Sequence, residues 1–254
     1  MKRTINTGFG AIDKSFGGLR SGEVTLIGGR PSMGKTSLVL QIALNAAKAG
    51  KNVLFFTAGL SPVELELKLA SILSGIDMSK IRSWNMNNGE WELFRENIRD
   101  VKELPIHFIH TDTIQMIKFM CADKDNTADL VIFDYLQLVH LAYAETEKCT
   151  QDLTCLDYLK EFRKLAKKHN VPVVVLSQLS RKLEKRRDKR PRVGDFRIDN
   201  LTDADYDQAF LLYREGYYDY DAPRDIAELS GIWPKKKLKE TFELKWNYDK
   251  GIFE

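Results

Sequence analysis

The sequence predicts an α/β fold: a mostly parallel, doubly wound sheet flanked by helices, with antiparallel strands added at one edge near the C-terminus. Three observations carry this. Short, near-continuous runs of Val, Ile, Leu and Phe recur along the chain, as parallel strands buried on both faces require. Helix-like, apolar-periodic stretches alternate with them. One strand-to-helix junction reads Gly29-Arg-Pro-Ser-Met-Gly-Lys-Thr36, the G-x-x-x-x-G-K-T spacing of a phosphate-binding loop.

Taken in order, the expected strands are Val24–Gly28, Val53–Thr57, Ile106–Ile109, Leu130–Asp134, Val173–Ser177 and Ala209–Tyr213. The expected helices are Thr36–Ala49, Pro62–Leu73, Gly89–Val101, Ile114–Ala122 and Asp152–Lys168. This βαβ rhythm puts helices on both sides of a sheet, and ligands then bind at the carboxyl ends of the strands. Gly29, Asp134 and Gln178 all fall there. The last forty residues are more polar and strand-like, Phe242 to Trp246 for example, and predict antiparallel hairpins. Leu141–Thr150 and Ser180–Asn200 read as loops. The second is long for a compact domain, and loops of such length are usually functional or disordered. With no repeat, low-complexity tract or linker, residues 1–254 are expected to form one domain.

Composition narrows the classes. The chain has 254 residues, 43% hydrophobic and 30% charged, as in an ordinary globular protein. It has no apolar run of about 18 residues to span a membrane and no long apolar core near its start. Cys121, Cys149 and Cys155 are scattered, without metal-ligand spacing, and fit a reducing cytoplasm. The net charge of +3 identifies no partner, but its distribution is uneven. From Arg181 to Arg192 eight Lys/Arg face two acids, +6 in twelve residues. Lys235, Lys236, Lys237 and Lys239 form a second cluster.

The phosphate-binding set runs through Gly29, Arg30, Pro31, Ser32, Met33, Gly34, Lys35, Thr36 and Ser37. Glycines let the backbone curl so that successive N–H groups face one polyphosphate, and the helix N-terminus adds partial positive charge. Lys35 reaches the β- and γ-phosphates of ATP, and the Thr36 hydroxyl can ligate Mg²⁺. Asp129-Leu-Val-Ile-Phe-Asp134 is an apolar strand ending in a carboxylate, which suits Asp134 to hold Mg²⁺ beside Thr36. Val173-Val-Val-Leu-Ser-Gln178 ends in a polar pair. Gln178 reads equally as a sensor of the γ-phosphate and as a surface amide at a strand end.

Further residues carry a family resemblance. Thr7-Gly-Phe-Gly-Ala-Ile-Asp13, then Gly17-Gly18-Leu19 and Gly22-Glu23, lead into the phosphate loop as in RecA-superfamily ATPases. Arg30-Pro-Ser-Met-Gly-Lys-Thr36, Asp134-Tyr-Leu-Gln-Leu138, and Leu176-Ser-Gln-Leu-Ser-Arg-Lys-Leu-Glu-Lys-Arg-Arg-Asp-Lys-Arg-Pro191 with Asp195-Phe-Arg197 narrow it. Together they resemble the C-terminal motor domain of DnaB-type replicative helicases, from about Thr7 to Asn247. The resemblance implies a RecA-like P-loop NTPase that forms hexameric rings on single-stranded DNA, binds ATP between subunits and translocates 5′-to-3′. Primase or a helicase loader are implied partners. It puts Lys35 and Thr36 on phosphate and Mg²⁺, Asp134 on Mg²⁺ and Gln178 on the γ-phosphate. The basic loop, with Arg181, Lys182, Lys185, Arg186, Arg187, Lys189, Arg190 and Arg197, then faces DNA phosphates. A cationic loop of this kind gives salt-sensitive, sequence-tolerant binding.

The sequence departs from the family at three places. Where the family has a water-polarising glutamate within Ser-Leu-Glu-Met, this chain has Thr57-Ala-Gly-Leu60, with Gly59 in the glutamate's place. Glu64 and Glu66 follow, expected inside the next helix. Where the family supplies a Lys-x-Arg finger to a neighbour, counting places Trp233 and Lys235. Lysine offers a point charge in place of a planar fork. The family's N-terminal helical domain has no counterpart, so the chain reads as a minimal form or an excised motor. The first two departures touch the chemical step more than nucleotide binding. Two alternatives to a helicase motor therefore stand: a hydrolysis-deficient ATP- and DNA-binding scaffold, and another RecA-like ATPase such as a recombinase.

Overall fold

The computed structural model describes residues 3–122, 127–138 and 154–254. Strands β1 (Thr4–Ile5) and β2 (Leu19–Arg20) pair antiparallel, with helix α1 (Gly10–Phe16) between them. Then follow β3 (Val24–Gly29), α2 (Lys35–Lys48), β4 (Val53–Thr57), α3 (Pro62–Ser74), α4 (Met78–Ser83), α5 (Asn88–Glu103), β5 (Ile106–His110), α6 (Ile114–Ala122) and β6 (Leu130–Asp134). The chain continues through α7 (Cys155–His169), β7 (Val173–Gln178), β8 (Gln208–Tyr213), β9 (Ile226–Trp233), β10 (Leu238–Asn247) and β11 (Ile252–Phe253).

The main sheet runs β11-β10-β9-β8-β3-β7-β6-β4-β5. Its members from β8 to β5 are parallel, and β9, β10 and β11 are antiparallel. The expected doubly wound fold with a C-terminal antiparallel edge is the observed one. Period-two alternation divides the core. Phe55, Ile132, Leu176 and Leu212 face α2, α3 and α5. Phe56, Phe133, Val175 and Leu211 face α6 and α7. Phe56 and Phe133 are fully buried, each worth about 2–3 kcal/mol of burial.

Differences from the expectation have local causes. Helices α1 and α4, seven and six residues long, are too short to show a period. Helix α2 starts one residue early, because Gly34 at φ 102° is its cap. Helix α7 was expected from Asp152, which lies outside the described residues; it starts at Cys155, where Thr154 and Asp157 form a reciprocal capping box. The expected loop Leu141–Thr150, with Cys149, lies outside the described residues. Cys121 and Cys155 are free thiols, and burial pushes Cys121 up to about 12.

The stretch 180–200, expected as a loop, is a loop with internal structure. Short turns at Arg181–Lys185 and Val193–Asp195 shape it. Leu179 pairs with Phe196, and Leu183, Phe196 and Ile198 are buried beneath it. Its backbone is thereby anchored at both ends to the carboxyl edge of the sheet. Register puts Gly29 opposite both Gln178 and Leu212, and Thr57 opposite Asp134. The carboxyl ends of five strands, β3, β4, β6, β7 and β8, therefore converge at one edge.

Candidate active site

The loop from Gly29 to Thr36 curls at this edge. Ser32 (φ 62°) and Gly34 (φ 102°) take the left-handed conformation, which turns successive amides toward one side. The amides of Gly34, Lys35 and Thr36 have no acceptor among the described residues. They are the unpaired donors of a helix N-terminus, the arrangement that suits an anion. Pro31 and Ser32 are exposed, Met33 is buried as the loop's anchor, and Ser37 stands in the first turn of α2. The Lys35 ammonium donates to the Arg30 carbonyl at 3.1 Å. Burial lowers Lys35 to about 8, offset partly by Asp134.

Thr36 Oγ1 donates to Asp134 Oδ2 at 2.7 Å. Burial pushes the Asp134 carboxyl above its usual value, against the opposing pull of Thr36, Lys35 and Lys68. A hydroxyl and a carboxylate in contact are hard oxygen donors, few in number, as fits Mg²⁺ held largely by water and phosphate. Lys68, from α3, is half-buried with no hydrogen-bond partner among the described residues; burial lowers its pKa and Asp134 pulls it back. The sequence reading missed Lys68, since nothing local marks one lysine on a helix.

Gly59 lies just beyond β4, where the Ala58 amide donates to the Asp134 carbonyl at 2.8 Å. A Cβ there would meet only Tyr135 at 3.7 Å and Leu138 at 4.0 Å, ordinary contact. Glu64 does not replace the absent carboxylate. It closes the capping box of α3, accepting from the Ser61 amide and hydroxyl at 2.9 Å each. Glu66 lies inside α3, as expected.

A cluster absent from the sequence expectation stands beside the phosphate loop. Buried Arg214, just past β8, lies 4.4 Å over Trp246 and 5.9 Å over Tyr248. Trp246 and Phe253 pack directly on Gly34, where a Cβ would come within 2.8 Å of Phe253. Gln41 of α2 fixes β11 by exchanging hydrogen bonds with the Phe253 backbone at 2.6 and 2.8 Å. Burial lowers the Arg214 pKa, and its Nε has no hydrogen-bond partner among the described residues. Tyr248 is 70% exposed. A cation and an open aromatic face beside this loop are the kind of surface on which an aromatic ring can stack.

Gln178 ends β7 opposite Gly29, and its side chain has no hydrogen-bond partner among the described residues. Gln137, also missed, holds it in place: its Oε1 accepts from the Gln178 amide at 3.0 Å and its Nε2 donates to Ser177 at 2.8 Å. The expected cationic set divides. Arg181, Lys182, Lys185, Arg187 and Arg197 are exposed without ion-pair partners among the described residues, as is Arg192. Arg186 is committed to Asp195 by two bonds of 2.9 and 2.8 Å. Arg190 forks onto Glu228 at 2.7 and 2.6 Å, and Lys189 lies 5.3 Å over Tyr218. Arg186 and Arg190 thus brace the loop in place of standing free.

Lys235, which the resemblance places toward a neighbour's site, has a partner within its own chain. It pairs with Asp207, whose other oxygen accepts from the Val24 amide at 2.9 Å. Both lie at the amino ends of β3 and β8, the opposite edge from the phosphate loop. Trp233 is core, stacked on Phe16 with Arg20 3.9 Å over its ring.

The chain is 33% identical over 258 residues to a probable replicative DNA helicase of Trieres chinensis, covering 97% of this chain and 56% of that protein. It is 29% identical to the replicative DNA helicase DnaB of Geobacillus stearothermophilus, over 89% of this chain and 50% of that one. The chain therefore spans about half the length of the curated relatives it matches. Among solved structures, a DnaB-like replicative helicase, solved with its interactions with primase, superposes with a TM-score of 0.87 at 26% identity, covering 98% of this chain and 62% of that one. A solved ATPase domain gives 0.87 at 25% identity, over 98% of this chain and 90% of that one. The RadB recombinase gives 0.58 at 18% over 97% of each chain, a likeness of fold alone. No described helix is long and apolar enough to cross a membrane. The model of the DnaB-like helicase C terminal domain matches residues 4–252, and the chain belongs to that family.

Proposed function

We propose that this chain is the motor of an ATP-driven DNA helicase acting in replication, working as a hexameric ring on single-stranded DNA. The supporting observation is the convergence at one sheet edge of the phosphate loop, the Thr36–Asp134 pair and a cationic loop rooted beside them. The amides of Gly34, Lys35 and Thr36 receive the phosphates, and Lys35 turns from the Arg30 carbonyl to the terminal ones. Thr36 and Asp134 would hold Mg²⁺, which would supply positive charge to neutralise the phosphates. Gln178 contacts the γ-phosphate, while Arg214 and Tyr248 flank the base. Arg181, Lys182, Lys185, Arg187, Arg192 and Arg197 take DNA phosphates, with Arg186 and Arg190 as braces. Lys235, remote from its own phosphate loop, serves a neighbour's site, which requires an oligomer. Primase or a loader is the expected protein partner.

Gly59 favours a second reading, ATP and DNA binding with little hydrolysis. The test is DNA-stimulated ATP turnover and fork unwinding, with primase or loader supplied, against Lys35→Ala. Turnover and unwinding above that control are expected. ATP and DNA binding without turnover would select the second reading. Separately, Arg214→Ala and Tyr248→Ala each weaken ATP by about tenfold, since one stacking contact is worth roughly 1–3 kcal/mol. Binding of inorganic triphosphate stays unchanged. Fluorescent-nucleotide titration reads both, and an equal loss for triphosphate would remove this pair from the base.

A further inference from the structure

We infer that Arg30 and Glu184 form a clamp through which the occupied phosphate loop sets the conformation of the cationic loop at 181–197. Arg30 belongs to the phosphate loop, yet its side chain leaves it. The residue is 9% exposed, and its guanidinium spans two groups outside: Nε donates to Glu184 at 2.8 Å, and an Nη donates to the Leu179 carbonyl at 2.8 Å. Leu179 is the residue at which the chain leaves β7 for the cationic loop, and Glu184 lies inside that loop. A single buried side chain thus touches the loop at its root and at its first turn.

The other end of Arg30 faces the ligand. Its carbonyl accepts the Lys35 ammonium at 3.1 Å. A triphosphate competes for that ammonium, because an anionic oxygen is a stronger acceptor than a peptide carbonyl. Loss of the ammonium leaves the Arg30 carbonyl only the long bond from the Met33 amide at 3.4 Å, so the Arg30 peptide can shift, and the buried guanidinium carries the change to Leu179 and Glu184. Packing makes the link stiff. A Cβ on Gly28 would stand 2.7 Å from Phe196 and 2.8 Å from Leu179, so the strand under the phosphate loop already touches both ends of the cationic loop. Glu184 is also the sole acid in the turn Arg181–Lys185, so its pairing changes the local field that a polyanion meets.

The inference rests on the reading of 29–36 as the nucleotide loop and adds a route separate from Gln178. Coupling between two sites typically amounts to 5–150-fold in affinity and is reciprocal. The variant is Glu184→Gln, which keeps shape and an acceptor but removes the charge; Glu184→Ala is the second. Two measurements are made on the full chain with and without Mg²⁺ and a non-hydrolysable ATP analogue. One is amide hydrogen exchange across 180–197, and the other is affinity for single-stranded DNA. In the natural chain the analogue changes exchange across the loop and shifts DNA affinity by about tenfold. In both variants those responses shrink at least fivefold, while analogue affinity without DNA stays within about twofold. Unchanged responses in the variants, or no nucleotide response in the natural chain, overturn the clamp. A Glu184-dependent exchange response with no DNA affinity keeps the clamp and overturns the DNA reading instead.

Discussion

Replacing Gly59 by glutamate raises ATP turnover by about 10²-fold, the usual worth of a positioned general base. The position is prepared for it. Residues Val53–Thr57 carry the chain to the sheet edge beside Asp134, and the Ala58 amide fixes the next residue to the Asp134 carbonyl. A side chain leaving Gly59 meets Tyr135 and Leu138 at ordinary contact distance, and the backbone there needs no positive φ. The nearby acid that the sequence offers is occupied: Glu64 caps α3 and is drawn below the usual carboxylate range by the Ser61 amide and hydroxyl. Steady-state phosphate release with single-stranded DNA measures the change. An unaltered rate in Gly59→Glu means that the missing carboxylate does not limit hydrolysis, and the trans position at Lys235 becomes the next suspect.

Lys35→Ala weakens ATP binding by roughly 10²-fold or more, because truncating one partner of a buried charge pair leaves the other uncompensated. The same lysine makes binding pH-dependent. Burial holds its pKa at about 8 in the free protein, with Asp134 giving back part of the loss. The triphosphate favours the charged form and raises that pKa on binding. Below about pH 8 the ammonium is charged in both states, and affinity is level. Above it, binding takes up a proton, and affinity falls by up to about tenfold per pH unit until the bound-state pKa is reached. Calorimetry at about pH 9 in buffers of different ionisation enthalpy then records uptake approaching one proton. No uptake there would show that Lys35 stays charged in the free protein.

Much of the site was legible because its parts are local in sequence. A glycine loop between an apolar strand and an apolar-periodic helix can be recognised from eight consecutive residues. Asp134 and Gln178 each end an apolar run, and in parallel strands such ends meet at one edge. Gly59 could be located because it follows a strand by a fixed count. Charge density at 181–192 was visible too, but not its direction. Arg186 is claimed by Asp195 and Arg190 by Glu228, partners that a count of lysines and arginines does not reveal. Lys235 likewise met Asp207 across the chain.

The sequence by itself determined the order of the central strands and the longer helices, the phosphate-loop motif and the carboxylate-ended strand, because hydrophobic period and turn chemistry act over a few residues. Tertiary structure alone decided which cations stay free, that Arg214 and Tyr248 meet beside Gly34, and that Arg30 reaches Leu179 and Glu184. Those contacts join segments brought together by sheet order and register, and an ion pair or a stacked ring forms wherever the fold places it. No local pattern of residues encodes that placement.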